Sequence, residues 1–354
     1  MKKFLPILFL SLAFASCKKD TPITPPDEVT VNEDAATFSE ISSIDIGDTG
    51  AAEITAYDPL TQRLFVVNNG TVNKIDVIDF KDPLNMKVIA SISMLPYGGA
   101  VNSVAVSDGK LAAAIESTDK QANGKVAVFK TSDYSEIKVI TVGALPDMVT
   151  FSPDGKYIMT ANEGEPNDSY TNDPAGTVSI INVADNYSVG TLDFSGFASQ
   201  QPALTLKGLR IFGIGKNFVK DIEPEYITIS SDSKTAWVTL QENNAIAKID
   251  IAGKTITNIF PLGFKDYNTD GNEIDVSDKD DKITAAKWNV KGIYMPDGIA
   301  VVESGGTPYL FTANEGDSRE YTGLTEVLRV KQVKLDLHFF LRQVSFNKMH
   351  KWAG

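Results

Sequence analysis

The sequence predicts an all-β protein, a β-propeller of four-stranded blades with about four complete blades and part of a fifth. Apolar and polar residues alternate in short stretches, which is typical of half-buried strands. One hairpin recurs along the chain, and its clearest copy turns at Ser152-Pro153-Asp154-Gly155. Proline fixes φ and glycine permits a positive φ, so this segment suits a tight turn. A β-sandwich also contains many short strands, but the recurrence of one turn chemistry favours the propeller.

Each predicted blade begins with such a hairpin, and a third and a fourth strand follow the first four hairpins. The hairpins lie at residues 53–68, 102–116, 146–163, 224–240 and 296–315. The third strands lie at residues 74–79, 124–129, 176–181 and 244–250. The units recur at roughly 45 residues, the length of a propeller blade. Two insertions, Phe194–Lys220 and Phe264–Tyr294, lengthen the third and fourth units.

The first 17 residues predict a lipoprotein signal peptide. Met1-Lys2-Lys3 precedes an apolar run that is too short to span a bilayer, and Ala15-Ser16 precedes Cys17. Cleavage before Cys17 would free its thiol and amine for acylation, so that membrane lipid becomes the anchor. The alternative is an ordinary secretory peptide with an incidental cysteine. Residues 18–38 are polar and rich in proline, as in a flexible tether.

Lys18-Lys19-Asp20 resembles the short tags that send lipoproteins of some Gram-negative bacteria to the outer surface. We therefore expect a lipid-anchored protein of the outer membrane or cell surface of such a bacterium. The net charge of −13 argues against nucleic acid as a partner, because phosphates demand a basic face. Cys17 is the only cysteine, so its lipidation would exclude a disulfide.

Two nearly identical acidic loops follow the second strands of the third and fifth hairpins. They read Thr160-Ala161-Asn162-Glu163-Gly164 and Thr312-Ala313-Asn314-Glu315-Gly316. In a propeller these loops gather at one end of the channel, near the Pro-Asp pairs that open the blades. A ring of carboxylates and amides suits a hard cation such as Ca²⁺. Alternatively, Asn and Gly serve the turns and the acids are solvated. The candidate channel-end residues are Asp147, Asn162, Glu163, Glu225, Asp297, Asn314, Glu315 and Asp317.

The second insertion carries Asp-x-Asn-x-Asp-Gly, the start of an EF-hand type loop. Position twelve is Ser277 instead of Glu, and no flanking helices are evident, so a true EF-hand is not expected. A propeller insertion ordered by Ca²⁺ is one interpretation, and a polar surface loop is the other. The candidate calcium ligands are Asp266, Asn268, Asp270, Asp275, Asp278 and Asp280.

The paired Ala-Asn-Glu-Gly loops, Met295-Pro296-Asp297-Gly298-Ile299-Ala300 and Gly271-Asn272-Glu273-Ile274-Asp275-Val276-Ser277-Asp278 together resemble the choice-of-anchor I family. The resemblance implies an exported bacterial propeller, similar to an animal mesenchyme-specific cell-surface glycoprotein, and implies no catalytic residues. Some members of the family are joined to phosphatase or nucleotidase domains.

Residues 39–335 are the predicted propeller, and residues 336–354 are a basic, aromatic tail unlike the acidic body. Members of the choice-of-anchor I family look like larger domains, and a propeller must close its last blade on its first. We therefore expect an incomplete propeller with an aberrant end.

The predicted function is a non-catalytic binding or interaction module for an unknown protein or glycan, on a lipoprotein that faces the cell surface or the periplasm, with calcium as one possible source of stability. The alternative is a metal-dependent hydrolase of the phosphatase or nucleotidase kind, or a partner domain of one. No histidine precedes His338, although metallophosphatases use several. A carboxylate-only metal site and a carbohydrate-active pair of acids both stay open.

Overall fold

The computed structural model describes residues 34–47 and 51–333. The chain forms two units, residues 1–41 and 42–354. Within the described part of the first unit, residues Ala35–Thr37 form a 3-10 turn. The predicted signal peptide with Cys17, most of the predicted tether and the predicted tail lie outside the described residues.

Four four-stranded antiparallel sheets follow one another along the second unit, each with its strands in chain order. The first two sheets contain β1 (Ala51–Asp58), β2 (Arg63–Asn68), β3 (Lys74–Asp79), β4 (Lys87–Ser93), β5 (Val101–Ser107), β6 (Lys110–Ile115), β7 (Asn123–Lys130) and β8 (Glu136–Ala144). The next two contain β9 (Pro146–Phe151), β10 (Tyr157–Asn162), β11 (Thr177–Asn182), β12 (Ser188–Leu192), β13 (Pro224–Ile229), β14 (Thr235–Leu240), β15 (Ala245–Asp250) and β16 (Thr255–Pro261). The predicted hairpins and blades are confirmed.

Three two-stranded sheets follow in chain order. The first pairs β17 (Lys265–Asp266) with β18 (Lys291–Gly292), the second pairs β19 (Pro296–Ser304) with β20 (Thr307–Asn314), and the third pairs β21 (Glu320–Tyr321) with β22 (Leu324–Thr325). The second of these is the fifth sheet of the propeller. The pair β19–β20 is the predicted start of a fifth blade. The pair β17–β18 brackets the second insertion, which also contains an isolated bridge between Ile274 and Ala286.

The first insertion folds into two short helices, which the sequence did not predict. They are α1 (Gln201–Leu206), with a proline in its first turn, and α2 (Phe218–Asp221). Phe194, Leu204 and Phe218 of this insertion are buried in the apolar core shared with the third and fourth sheets. The insertion is therefore part of the packed body, and it holds Asp221 beside the start of the fourth sheet.

A separate apolar core lies between each pair of neighbouring sheets, because both faces of an inner sheet are apolar. Phe65 and Phe129 are buried between the first two sheets, and Trp237 packs with Ile299 between the last two. The first strands of the five sheets are also neighbours in order: β1 contacts β5, β5 contacts β9, β9 contacts β13, and β13 contacts β19. Face-to-face sheets with adjacent first strands are the blades of a β-propeller.

Candidate functional site

The first strand of each blade interrupts its pairing with the second strand near its start. In the third blade, Pro146 pairs with Asn162 and Met148 pairs with Ala161, which leaves Asp147 without a partner. Such a β-bulge bends the strand and re-aims the side chain of the extra residue. The same irregularity recurs in all five blades, and the polar residues that lie within the five irregular segments are Glu53, Asn102, Asp147, Glu225 and Asp297.

These five side chains line one cavity of about 330 Å³, where the first strands meet. Its lining consists of Glu53, Ile54, Asn102, Ser103, Asp147, Met148, Glu225, Tyr226, Asp297 and Glu315. Five of these ten residues are acidic and none is basic. A larger cavity of about 790 Å³ lies between residues 275–279 and 327–331, away from the channel, and there Asp278 is already paired with Arg329.

The carboxyls around the cavity shift one another's protonation. Burial raises the pKa of Asp147 to about 6, and the charges of Glu53 and Asp297 add to the rise. Burial also raises the pKa of Asp297, and the charge of Glu315 acts in the same direction. The lining offers no cation that would oppose these shifts, so these carboxyls have no partner in the lining that balances them when they ionise.

Glu163 and Glu225 form a pair of carboxyls that share a hydrogen bond. Burial raises the pKa of Glu225 to about 8 and holds the pKa of Glu163 well above its ordinary value. Among the described residues, one carboxylate oxygen of Glu225 and one of Glu242 are buried without a hydrogen-bond partner. Buried polar atoms are nearly always paired, so these two oxygens require an explanation.

A second group of acids, next to the cavity, surrounds a buried arginine. The guanidinium of Arg319 donates to Asp221 Oδ1 at 3.0 Å, to Glu223 Oε2 at 2.7 Å and to the backbone oxygen of Asp221 at 3.0 Å. Burial alone would lower the pKa of Arg319, but the charges of Glu223 and Asp221 outweigh it and raise that pKa. Burial raises the pKa of Glu223, and Arg319 opposes that rise. We call these three residues the Arg319 cluster.

Arg319 belongs to residues 316–326, which follow the fifth hairpin and bind loops of the third and fourth blades. We call this segment the strap. Tyr321 Oη donates to Glu165 Oε1 at 2.8 Å, and Gly323 N–H donates to the backbone oxygen of Asp168 at 2.9 Å. Arg210 Nη2 donates to Glu326 Oε1 at 3.0 Å. The strap therefore closes the acidic region on the side of the Arg319 cluster.

The structure brings four of the eight predicted channel-end residues into the cavity lining, namely Asp147, Glu225, Asp297 and Glu315. Glu163 does not line the cavity, but it shares a hydrogen bond with the lining residue Glu225. Asn162 is fully buried inside its blade, where its amide donates to Thr177 and Ser179, so it stabilises the sheet. Asn314 and Asp317 are exposed and do not line the cavity.

The six candidate calcium ligands of the second insertion are not brought together around one point. Asp266, Asp270 and Asp278 pair with Lys291, Lys287 and Arg329, respectively. Asp275 accepts the N–H groups of Ser277 and Thr284. Across residues 34–47 and 51–333, no three His, Cys, Asp or Glu side chains form a group that could hold a metal ion. Calcium binding stays a prediction.

Sequence reasoning did not nominate Glu53 and Asn102 as site residues, and it missed the role of Arg319. The signal for the first two was their position, because each lies near the start of a first strand, as Asp147 does. The signal for Arg319 was weaker. It is a basic residue within an acidic loop, and its equivalent in the related loop is Asn167.

A sequence model of the choice-of-anchor I domain matches residues 53–347. The chain belongs to the choice-of-anchor I family. The family assignment indicates a cell-surface protein, and the match extends beyond residue 335, where the predicted propeller ends. No helix among the described residues is long and apolar enough to cross a membrane.

This choice-of-anchor I domain is also similar to solved structures. Hydrazine synthase from Kuenenia stuttgartiensis is 13% identical over 75% of this chain and 84% of that chain, with a TM-score of 0.43. The Cps50 (Swd1) β-propeller domain of Myceliophteria thermophila is 10% identical over 61% and 56%, with a TM-score of 0.42. A chain of a nidogen–laminin complex is 14% identical over 60% and 65%, with a TM-score of 0.38. We infer no function from these similarities. No curated protein sequence matches the chain.

Proposed function

We propose that this chain is a lipid-anchored surface protein whose propeller binds a ligand in the acidic cavity and catalyses no reaction. One observation carries the proposal: five successive blades direct a polar side chain into one cavity from the same irregularity of the first strand. Turn geometry does not require an acid or amide at that position in every blade. A concave space into which several polar side chains converge is the usual form of a ligand-binding site.

The size and chemistry of the cavity support binding without catalysis. About 330 Å³ is at the lower end of ligand pockets, so the cavity suits a side chain or one sugar unit of a larger protein or glycan. No histidine, cysteine or lysine lines it, so its one serine, Ser103, has no neighbouring base among the lining residues. The hydroxyl of Ser103 instead accepts the N–H of Val149.

The proposed anchor is the acylated Cys17, which would attach the propeller to the outer membrane of a Gram-negative bacterium. The sequence around Cys17 and the family's cell-surface character support it. The first test is fractionation of cells that express the full chain or a Cys17→Ala variant. We expect the full chain in the membrane fraction, accessible to protease on intact cells, and the variant in the soluble fraction. Equal membrane association of both chains would contradict lipid anchoring.

The second test applies the detergent-solubilised full chain to a printed array of glycans and peptides. We expect binding to a subset of these probes and its loss in an Asp147→Asn/Asp297→Asn double variant, whereas the exposed Glu273→Gln control should bind normally. An array without any binding would contradict the proposal.

The hydrolase alternative is tested by a turnover screen with phosphate esters and glycosides, with and without divalent metal ions. The paired carboxyls of Glu163 and Glu225 are the observation that gives this alternative a concrete site, because two carboxyls in direct contact can share one proton and act as an acid–base pair. Turnover that disappears in a Glu163→Gln variant would replace the binding proposal with catalysis.

A further inference from the structure

We propose that the cavity recognises an organic cation, the alkylammonium or guanidinium group of a lysine, an arginine or a polyamine. This inference rests on the proposed binding function and specifies the chemistry of its ligand. It concerns the carboxyls of Glu53, Asp147, Glu225, Asp297 and Glu315.

In the cavity, acids that no cation balances lie next to an unsatisfied acceptor. Five acids and no basic residue line the cavity. One buried oxygen of Glu225, a lining residue, has no hydrogen-bond partner. A ligand that brings N–H donors and a positive charge would supply both this missing partner and the balancing charge.

The size of the cavity also favours an organic cation. The acids surround a space of about 330 Å³, and no three of them form a group that could hold a metal ion. A polyatomic cation with spread-out donors fits such a space better than a single ion, which requires ligand oxygens at about 2.3–2.6 Å.

A contact within the same molecule points to the same kind of cation. The guanidinium of Arg319 already occupies a neighbouring acidic group, where it bonds Asp221 and Glu223. The strap thus shows which cation this acidic end of the propeller accommodates. The cavity lacks such a partner from the described chain, and its exposed rim residues, Glu53 and Glu315, leave it open to a solute.

The test is calorimetric titration of the detergent-solubilised full chain with matched small probes. Nα-acetyl-arginine amide and Nα-acetyl-citrulline amide have nearly the same shape, but only the first carries a charge. Nα-acetyl-lysine amide and spermidine distinguish a side chain from a free polyamine, and CaCl₂ tests a metal ion. We expect the arginine probe to bind at least tenfold more tightly than the citrulline probe, about 1.4 kcal/mol.

The variants locate the site. Asp147→Asn/Asp297→Asn should weaken the arginine, lysine or spermidine probe at least tenfold, and Glu273→Gln should leave its affinity unchanged. Equal affinity for arginine and citrulline, or binding of Ca²⁺ alone that depends on Asp147 and Asp297, would overturn the inference. If these probes fail while array binding still depends on the same two residues, the binding function stands and only the organic cation is wrong.

Discussion

Two neighbouring acidic regions of this propeller differ in whether the chain itself supplies a cation for their carboxylates. In the Arg319 cluster, a buried guanidinium from the strap bonds Asp221 and Glu223 at 3.0 and 2.7 Å. In the cavity, Asp147 and Glu225 face other acids, and the lining has no cation. The comparison teaches that this acidic surface is not uniform: one part is completed by the chain itself and therefore stabilises the fold, and the other is left incomplete.

The origin of the two regions in the sequence explains the difference. Four of the five acids of the cavity come from one repeated position of the blades, where the second blade instead has Asn102. The Arg319 cluster combines segments that break the repeat: Asp221 ends the first insertion, and Arg319 lies in the strap. The repeat thus brings like charges together at the channel, and in this chain irregular segments supply the opposite charge of the Arg319 cluster.

The largest effect is expected for Arg319→Leu, which tests whether the cluster stabilises the fold. The variant leaves Asp221 and Glu223 buried without their cation, and removal of one partner of a buried pair costs about 3–5 kcal/mol. We expect the free energy of unfolding in urea to fall by that amount. Arg329→Leu is the matched control, because Arg329 pairs with Asp278 at the surface, and it should leave stability nearly unchanged. Equal losses in the two variants would remove the distinction between the cluster and an ordinary surface ion pair.

The next largest effect concerns the cavity, where a substitution should raise the free energy of unfolding instead of lowering it. The pKa of Glu225 is raised from 4.5 to about 8. Between pH 4.5 and pH 8 the folded protein therefore keeps a proton on Glu225 that the unfolded chain has released. The contribution of Glu225 to the free energy of unfolding is fully present below about pH 4.5 and is lost as the pH rises through 8. We expect Glu225→Gln to stabilise the ligand-free protein by about 1–3 kcal/mol at pH 8 and by much less at pH 5.

Urea unfolding at pH 5, 6.5 and 8 measures this difference. Glu273→Gln is the control, because Glu273 is exposed in the second insertion and should leave the pH dependence as it is. A Glu225→Gln variant that is less stable than the parent at pH 8 would mean that the carboxylate of Glu225 is satisfied in the ligand-free protein. The cavity would then resemble the Arg319 cluster.

Local sequence patterns predicted the blades well, because each hairpin carries its own signals. Alternating residues and Ser152-Pro153-Asp154-Gly155 define a hairpin without reference to distant parts of the chain. The same holds for Asp147 and Asp297, which a repeated position places at one end of the channel. Asn162 shows the limit of this reasoning, since its position in the repeat is regular but its amide is used inside the sheet.

Contacts between distant segments could not be predicted in this way. Arg319 meets Asp221 across 98 residues of sequence, and nothing near either residue indicates the other. The helices of the first insertion are similar, because α1 and α2 are too short to be stable alone and depend on burial of residues such as Leu204 and Phe218.

A smaller effect is expected for the strap. Burial, aided by the charge of Glu165, raises the pKa of Tyr321, so its hydroxyl keeps its proton and donates to Glu165. Tyr321→Phe removes that donor and should cost about 1–2 kcal/mol of unfolding free energy. Tyr309→Phe is the control, because Tyr309 is exposed on the fifth sheet. If both variants unfold at the same urea concentration, the hydrogen bond of Tyr321 adds nothing to stability, and the other contacts of the strap, such as that of Arg319 with Glu223, hold it in place.

The smallest effect is expected from calcium. Its predicted site, the second insertion, is a third acidic region to compare with the cavity and the Arg319 cluster. Its carboxylates are exposed and individually paired, and Lys291 holds the pKa of Asp266 below its ordinary value. An ion would have to displace lysines such as Lys287 from Asp270, so we expect weak binding in the range of extracellular modules, about 10⁻⁴–10⁻³ M. In 10 mM CaCl₂ the melting midpoint should rise by about 3 °C relative to EDTA.

The variants that abolish the calcium shift decide which acidic region is responsible. Loss of the shift in Asp270→Asn, with the shift kept in Glu225→Gln, would assign calcium to the insertion, as the sequence predicts. The reverse pattern would assign it to the cavity and would contradict selection of an organic cation there. A midpoint that is the same in CaCl₂ and EDTA would make the calcium prediction wrong. The exposed acids of the insertion would then be paired within the chain, as Asp221 and Glu223 are, and the cavity, with the unpaired oxygen of Glu225 in its lining, would remain the acidic region without a cation of its own.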